Sequence, residues 1–197
     1  MKVTKLLGYQ VLDSRGRPTV AASITLEDGT THTARVPSGA STGKHEALEL
    51  RDGDQLAHNN FYGALSVTKA VENVNTRIAP LIVGQQVDLK FIDGEIRTID
   101  TTSNFSSLGA NATLAVSLAA AKASAHAHNV SLARYFQPEG NLLIPMPMVN
   151  ILSGGAHANR SLDFQDVLIV PTGASSFTEA LSWIVAIRET AAQLGSK

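Results

Sequence analysis

The sequence contains no cysteine. That excludes a disulfide framework and any thiolate-ligated metal centre. It has no basic run either: Lys and Arg are scattered and almost balanced by Asp and Glu, with a formal net charge of −1. A chain so balanced lacks the electrostatic footprint of a nucleic-acid or anionic-membrane binder. No apolar stretch reaches membrane-spanning length. The opening residues, MKVTKLLGYQVLDSRG, have no long apolar core of a secretion signal. The sequons at Asn104, Asn111, Asn129 and Asn159 therefore carry no expectation of glycosylation, which needs secretion. A soluble cytoplasmic protein is the expectation. What the chain does have is 197 residues, 44% of them apolar. That suffices for one large domain, or one domain and part of another, around a real core.

The N-terminal part reads as strands. TVAASITLEDGTTHTARV alternates around an Asp28-Gly29 turn, a hairpin pattern that puts Val20, Ala22, Ile24 and Leu26 on one face. TKLLGYQVLDSRGRPT gives a further strand ending in a Gly/Pro turn. Over residues 60–82 the apolar positions recur at helical spacing, with Pro80 expected to end or kink the helix. A short helix is expected over 89–97, a long Ala-rich one over 108–129, and a short one in SLARYFQ behind a Ser cap. QPEGNLLIPMPM, with Gly140 and three prolines, reads as a boundary. Beyond it, MVNILSGG and FQDVLIVPTG read as short strands. SSFTEALSWIVAIRETAAQLGSK reads as an amphipathic helix with Ser176 and Glu179 in capping-box positions. The expected domains are 1–137, of α+β type, and 138–197.

VPSGASTGKHEALELRDGD, residues 36–54, looks at first like a phosphate loop. Its spacing is wrong: Gly39 and Gly43 enclose three residues, not four, and His45 follows Lys44 where a hydroxyl for magnesium is needed. The charged, turn-rich stretch after Lys44 is also not the helix such a loop should open. The loop must therefore do something else.

Six histidines are the other obvious candidates. His126 and His128 lie two apart on a helix, point in different directions and cannot share a metal. His32 and His58 read as surface residues, and His45 could face a cavity beside the Gly/Ser loop. His157 sits in SGGAHAN, where paired glycines permit close backbone approach to a ligand, with Asp166 in the next strand. On spacing alone that pair is weak.

Taken in series, VLDSRGRPTV, VPSGASTGKHEALELRDGD, LGANATLAVSLAAAKA, PMPMVNILSGGAHA and FQDVLIVPTGASSFTEAL resemble the glycolytic enolases, in enolase order and over essentially the whole chain. The resemblance implies an α+β lid domain, a three-stranded antiparallel sheet followed by helices, and then the beginning of an α/β (TIM-like) barrel. It implies a lyase interconverting 2-phosphoglycerate and phosphoenolpyruvate with two Mg2+ ions. The Gly/Ser loop would close over the site, with Gly39 and Ala40 beside substrate. Ser41 matches the serine that contributes hydroxyl and backbone oxygen to the second magnesium, ligands that suit a hard cation. Closure would exclude water from a carbanion intermediate. His157 matches the histidine that meets the substrate phosphate, and Gln165 a substrate-contacting glutamine.

Four departures stand out. Asp166 occupies the place of a glutamate that helps bind substrate; one methylene fewer withdraws its oxygens by about 1.5 Å, a misplacement that can cost roughly a hundredfold in rate. Ser153 stands where NGG is usual, and NFSSLGAN lacks the basic residue of NKSKLGAN. Ala21 replaces an acidic residue that ties subunits together, which puts the family's usual homodimer in question.

Proton abstraction beside a carboxylate needs a base and an electrophile for the enolate. In enolases the Lys base, the Glu assisting the leaving hydroxide and the three carboxylates of the first magnesium all come later than position 197. The principal acid and base are thus expected beyond Lys197, and the 197 residues are expected to be inactive alone. A full barrel takes about 250 residues, so the part present should expose apolar edges. Three readings remain open: an enolase given as a truncated chain, a non-catalytic interaction module built on an enolase lid, and a related lyase acting on another phosphorylated hydroxy acid.

Overall fold

A computed structural model describes residues 1–39, 43–53, 61–155 and 163–195. The chain divides into two compact units, Met1–Gly140 and Asn141–Lys197.

The first unit opens with an antiparallel sheet of β1 (Val3–Leu12), β2 (Pro18–Leu26) and β3 (Thr31–Arg35), in that order. The β2–β3 turn is set by Gly29 at φ +84° and by Asp28, whose Oδ1 accepts from the N–H and O–H of Thr30. Val20, Ala22, Ile24 and Leu26 are all buried, as the alternation predicted. Against that face packs the Ala-rich helix α4 (Ala110–Ala127), with Ala112, Ala115, Val116, Ala119 and Ala123 buried. Small side chains let its backbone come close to the sheet.

The helix predicted over 60–82 begins only at Thr68. It runs as α1 (Thr68–Glu72), a π-helical stretch (Asn73–Ile78) and α2 (Ala79–Ile82). Leu65 lies ahead of it and is exposed, whereas Val67, Ala70, Val74, Ile78 and Ile82 are buried. The start is fixed from a distance. Asp52 accepts from Thr68 N–H at 2.9 Å, Thr68 O–H at 2.5 Å and Lys69 N–H at 2.9 Å, satisfying first-turn donors that no neighbouring residue caps. Pro80 does not end the helix. It offers no N–H to the preceding turn and crowds the carbonyl four residues back; the wider π spacing just before it absorbs that mismatch.

Helix α3 (Leu89–Ile99) is capped by Asp88, which accepts from Phe91 N–H at 2.6 Å. Helix α5 (Leu132–Phe136) has its Ser131 cap, accepting from Arg134 N–H at 3.2 Å.

In the second unit, β4 (Val149–Ser153) and β5 (Asp166–Ile169) pair antiparallel, followed by α6 (Phe177–Gly195), which packs on β4. The α6 cap differs in detail from the capping box. Ser176 Oγ accepts from Glu179 N–H at 3.2 Å, but the Glu179 carboxylate reaches one residue further, to the N–H and O–H of Ser175 at 2.7 and 2.6 Å. Those bonds hold its pKa below the usual value. Val167 and Leu168 are neighbours on opposite faces of β5, and both are exposed, as are Trp183 and Val185 on α6. A strand apolar on both sides is the pattern of a sheet covered on both faces. Among the described residues no helix is long and apolar enough to cross a membrane.

Candidate functional site

The segment after Gly43 contains no helix through Gly53, which removes the structural context of a phosphate loop. Having no ladder partner, it is tied down by side chains and turns. Leu48 N–H donates to the Asn104 carbonyl at 2.8 Å, and Ala110 N–H to the Leu48 carbonyl at 2.7 Å. Asn111, buried at the start of α4, takes Leu50 N–H on Oδ1 at 3.1 Å and gives Nδ2–H to the Leu50 carbonyl at 3.0 Å. Its amide thus stands in for a strand neighbour. Gly109, at φ +94°, makes room: a Cβ there would lie 2.6 Å from Leu50 Cβ.

Arg51 ties the other leg. Its guanidinium pairs with Glu49 at 2.6 Å and donates to Ser38 Oγ at 3.1 Å, to the Pro18 carbonyl at 2.7 Å and to the Leu65 carbonyl. Ser38 in turn donates to Glu49 at 3.1 Å. A rigid five-donor fork suits a residue that must join four chain segments. Asp52 is buried, which pushes its pKa up, but the bonds from Lys69 and Thr68 together outweigh burial and the net shift is downward. Asp100 repeats the pattern: burial raises it, and bonds from Thr102 and Leu108 bring it below the usual range.

Gly39 lines a cleft of about 270 Å³ with Val36, Pro37, Glu46, Ala47, Glu49, Ala110, Asn111 and Leu114. Among the described residues its polar walls are carboxylates and an amide. His45 is exposed and does not line it. Ala40, Ser41 and His157 lie outside the described residues, as does His58. In the second unit Asp166 opens β5 and Gln165 lies just before it, both exposed. Gly154 N–H donates to the Gln165 carbonyl at 2.6 Å, and Asp166 Oδ1 accepts from Asn150 Nδ2 at 2.6 Å. The hairpin therefore gathers Asn150, Ser153, Gln165 and Asp166 at one end.

The remaining histidines are structural. His126 Nε2 and Asp28 Oδ2 are 2.8 Å apart, tying the β2–β3 turn to α4, and the His32 ring lies 4.8 Å from that of His126. Burial, then the His126 charge, lowers the His32 pKa. His32 is thus a packing partner rather than the plain surface residue expected. His128, two residues on, faces elsewhere and meets Tyr135 at 5.6 Å.

Among the described residues no group of three or more His, Asp or Glu side chains could hold a metal ion. Sequence reasoning missed Asn111, Arg51 and Asn150. Asn150 had a signal: asparagine is depleted in strands, so one inside an otherwise apolar strand asks for a reason.

Comparison with known families agrees with this architecture. Residues 141–196 match the enolase C-terminal TIM barrel domain, which identifies the β4–β5–α6 unit as the start of a barrel. Residues 3–136, which hold the sheet, the tethered loop and α1 to α5, match the enolase N-terminal domain. The chain belongs to the enolase family.

Proposed function

We propose that this chain serves the Mg2+-dependent interconversion of 2-phosphoglycerate and phosphoenolpyruvate. In this reading it supplies the closing loop and part of the substrate contacts. Gly39, Ala40 and Ser41 belong to the loop, Ser41 offering oxygens to the second magnesium. His157 meets the phosphate, and Gln165 and Asp166 the rest of a small phosphorylated hydroxy acid. The observation that carries the reading is that both enolase domains match in order along one chain. The tethering of residues 48–52 by Asn111, Arg51 and Asp52 supports it, because a loop that closes over substrate needs fixed stems.

Magnesium would supply charge neutralisation of the enolate when bound, and in this reading the carboxylates of its main site come later than position 197. The lysine base of the family is placed there too in this reading. The 197 residues by themselves should give no turnover. The test is phosphoenolpyruvate formation from 2-phosphoglycerate with magnesium chloride, followed by ultraviolet absorbance. It is run on the 197-residue chain and on the product of its whole reading frame. Turnover by the 197 residues would refute the placement of the base. A reading frame that continues into the family's later Lys and acidic ligands, yet yields an inactive protein, would refute the enolase reaction. The exposed, shortened carboxylate at Asp166 favours one second reading, a related lyase with another phosphorylated hydroxy acid. Turnover of such an acid in preference to 2-phosphoglycerate would establish it.

A further inference from the structure

Side chains of a regular strand alternate between faces, so residues 150 and 153 of β4 should point to opposite sides. They do not. The β4–β5 register slips between Asn150 and Leu152, and such a bulge re-aims side chains. Asn150 Nδ2 consequently donates to Ser153 Oγ at 2.6 Å and to Asp166 Oδ1 at 2.6 Å. Its Oδ1 accepts from Leu152 N–H at 3.2 Å, so the amide is oriented by the bulge itself. Ser153 and Asp166 are direct cross-strand partners.

We propose that Asn150 is a positioning residue for Asp166, aimed by the β4 bulge and braced by Ser153. The inference rests on the reading of Asp166 as a substrate contact. A carboxylate only accepts hydrogen bonds, and an exposed aspartate with no donor nearby samples several rotamers. A donor whose own orientation is locked restricts it to one. The two positions of this hairpin that depart from the usual enolase pattern are the two groups the Asn150 amide bridges. A serine at 153 is small enough to leave Nδ2 within reach of a carboxylate one methylene shorter.

The test uses the 197-residue chain and the ¹⁵N–¹H signals of the Asn150 side-chain amide. Asp166→Ala and Ser153→Ala should each move them, and Thr172→Ala, on the segment after β5, should not. Titration of the product of the whole reading frame with 2-phosphoglycerate and magnesium chloride adds the functional arm. Asn150→Ala should weaken binding by about tenfold, the value of one hydrogen bond to a charged group. The double variant with Asp166→Ala should be no weaker than Asp166→Ala alone. Asn150→Asp, which sets a like charge against Asp166, should weaken binding at least as much. Amide signals indifferent to Asp166→Ala overturn the proposal. So does an Asn150→Ala variant that binds like the parent when Asp166→Ala does not. Signals that respond to Asp166→Ala, together with whole-frame protein whose ligand binding is indifferent to Asp166→Ala, support the positioning role and overturn the substrate-contact reading instead.

Discussion

Gly109→Ala probes how the 48–50 segment is held, and its cost can be worked from the geometry. At φ +94° and ψ +129° the position lies outside the regions open to L-residues, a strain of about 1–3 kcal/mol for alanine. The added methyl would lie 2.6 Å from Leu50 Cβ and 2.6 Å from Asn111 Oδ1, against a usual carbon–carbon contact of ~3.5–4.0 Å. Neither neighbour can withdraw freely, because the two Leu50 backbone groups are both bonded to Asn111. Forcing them apart forfeits two bonds worth about 0.5–1.5 kcal/mol each. Strain and lost bonds together come to about 4 kcal/mol, a large part of the ~5–15 kcal/mol that holds a domain folded. Gly84→Ala is the matched control: its φ is +88° and nothing lies within 4 Å of the new Cβ, so only strain remains. Urea unfolding monitored by circular dichroism should place Gly109→Ala about 2 kcal/mol or more below Gly84→Ala. Equal losses in the two variants would show that the loop does not press on Gly109, and the clamp account would fall.

Gly8→Ala should cost about 1–3 kcal/mol by overpacking, since its Cβ would sit 2.7 Å from Val74 Cβ; calorimetry should record a lower Tm, partly restored by adding Val74→Ala. Asp52 and Asp100 have folded pKa values depressed below 3.8. Their stabilisation is therefore present above pH ~4 and is lost as pH falls through the folded values. Asp52→Asn should flatten the acid limb of a stability–pH curve measured by urea midpoints; an unchanged limb refutes the assignment. His32 is also depressed, from 6.5. Its neutral form favours the fold, so stability should decline as pH drops below about 6.5, and His32→Asn should remove that decline.

The sheet was legible because period-2 alternation and a DG turn are local. The start of α1 was not, because its cap is Asp52, sixteen residues upstream of Thr68 in sequence. Apolar spacing continues backwards through Leu65, but among the described residues there none caps the first-turn N–H groups, and the helix begins where the distant carboxylate meets it. Pro80 was expected to end or kink the helix; the helix runs two residues past it, to Ile82, with a π stretch ahead of the proline. The rule that proline ends a helix assumes α spacing on its N-terminal side, and a π stretch suspends that assumption. For the candidate site, Gln165 and Asp166 were named from the motif, and the structure places them at the base of the β4–β5 connection. Asn150 was invisible as a partner of Asp166, because a bulge changes which residues share a face and leaves no mark in the alternation itself.

Two asparagines show how the first unit joins irregular backbone to regular elements. Asn75, in the π stretch, accepts from Gly8 N–H at 2.8 Å and donates to the Gly8 carbonyl at 3.0 Å. Asn111, at the start of α4, does the same to Leu50. In each case a side-chain amide, one donor and one acceptor in a plane, copies the pairing of a neighbouring peptide unit. In each case, too, a missing Cβ permits the approach: Gly8 against Val74, Gly109 against Leu50. A buried unpaired peptide group costs about 1–3 kcal/mol, so the pairing and the glycine are needed together. A larger residue at the glycine would leave the amide out of reach. An apolar residue at the asparagine would leave two backbone groups unsatisfied. The second clamp holds the stem that follows the Gly/Ser loop, so the position of that stem is set by α4 rather than by the loop's own sequence. Loop residues could then be exchanged without moving the stem, whereas Asn111→Leu should shift it while leaving the loop sequence untouched.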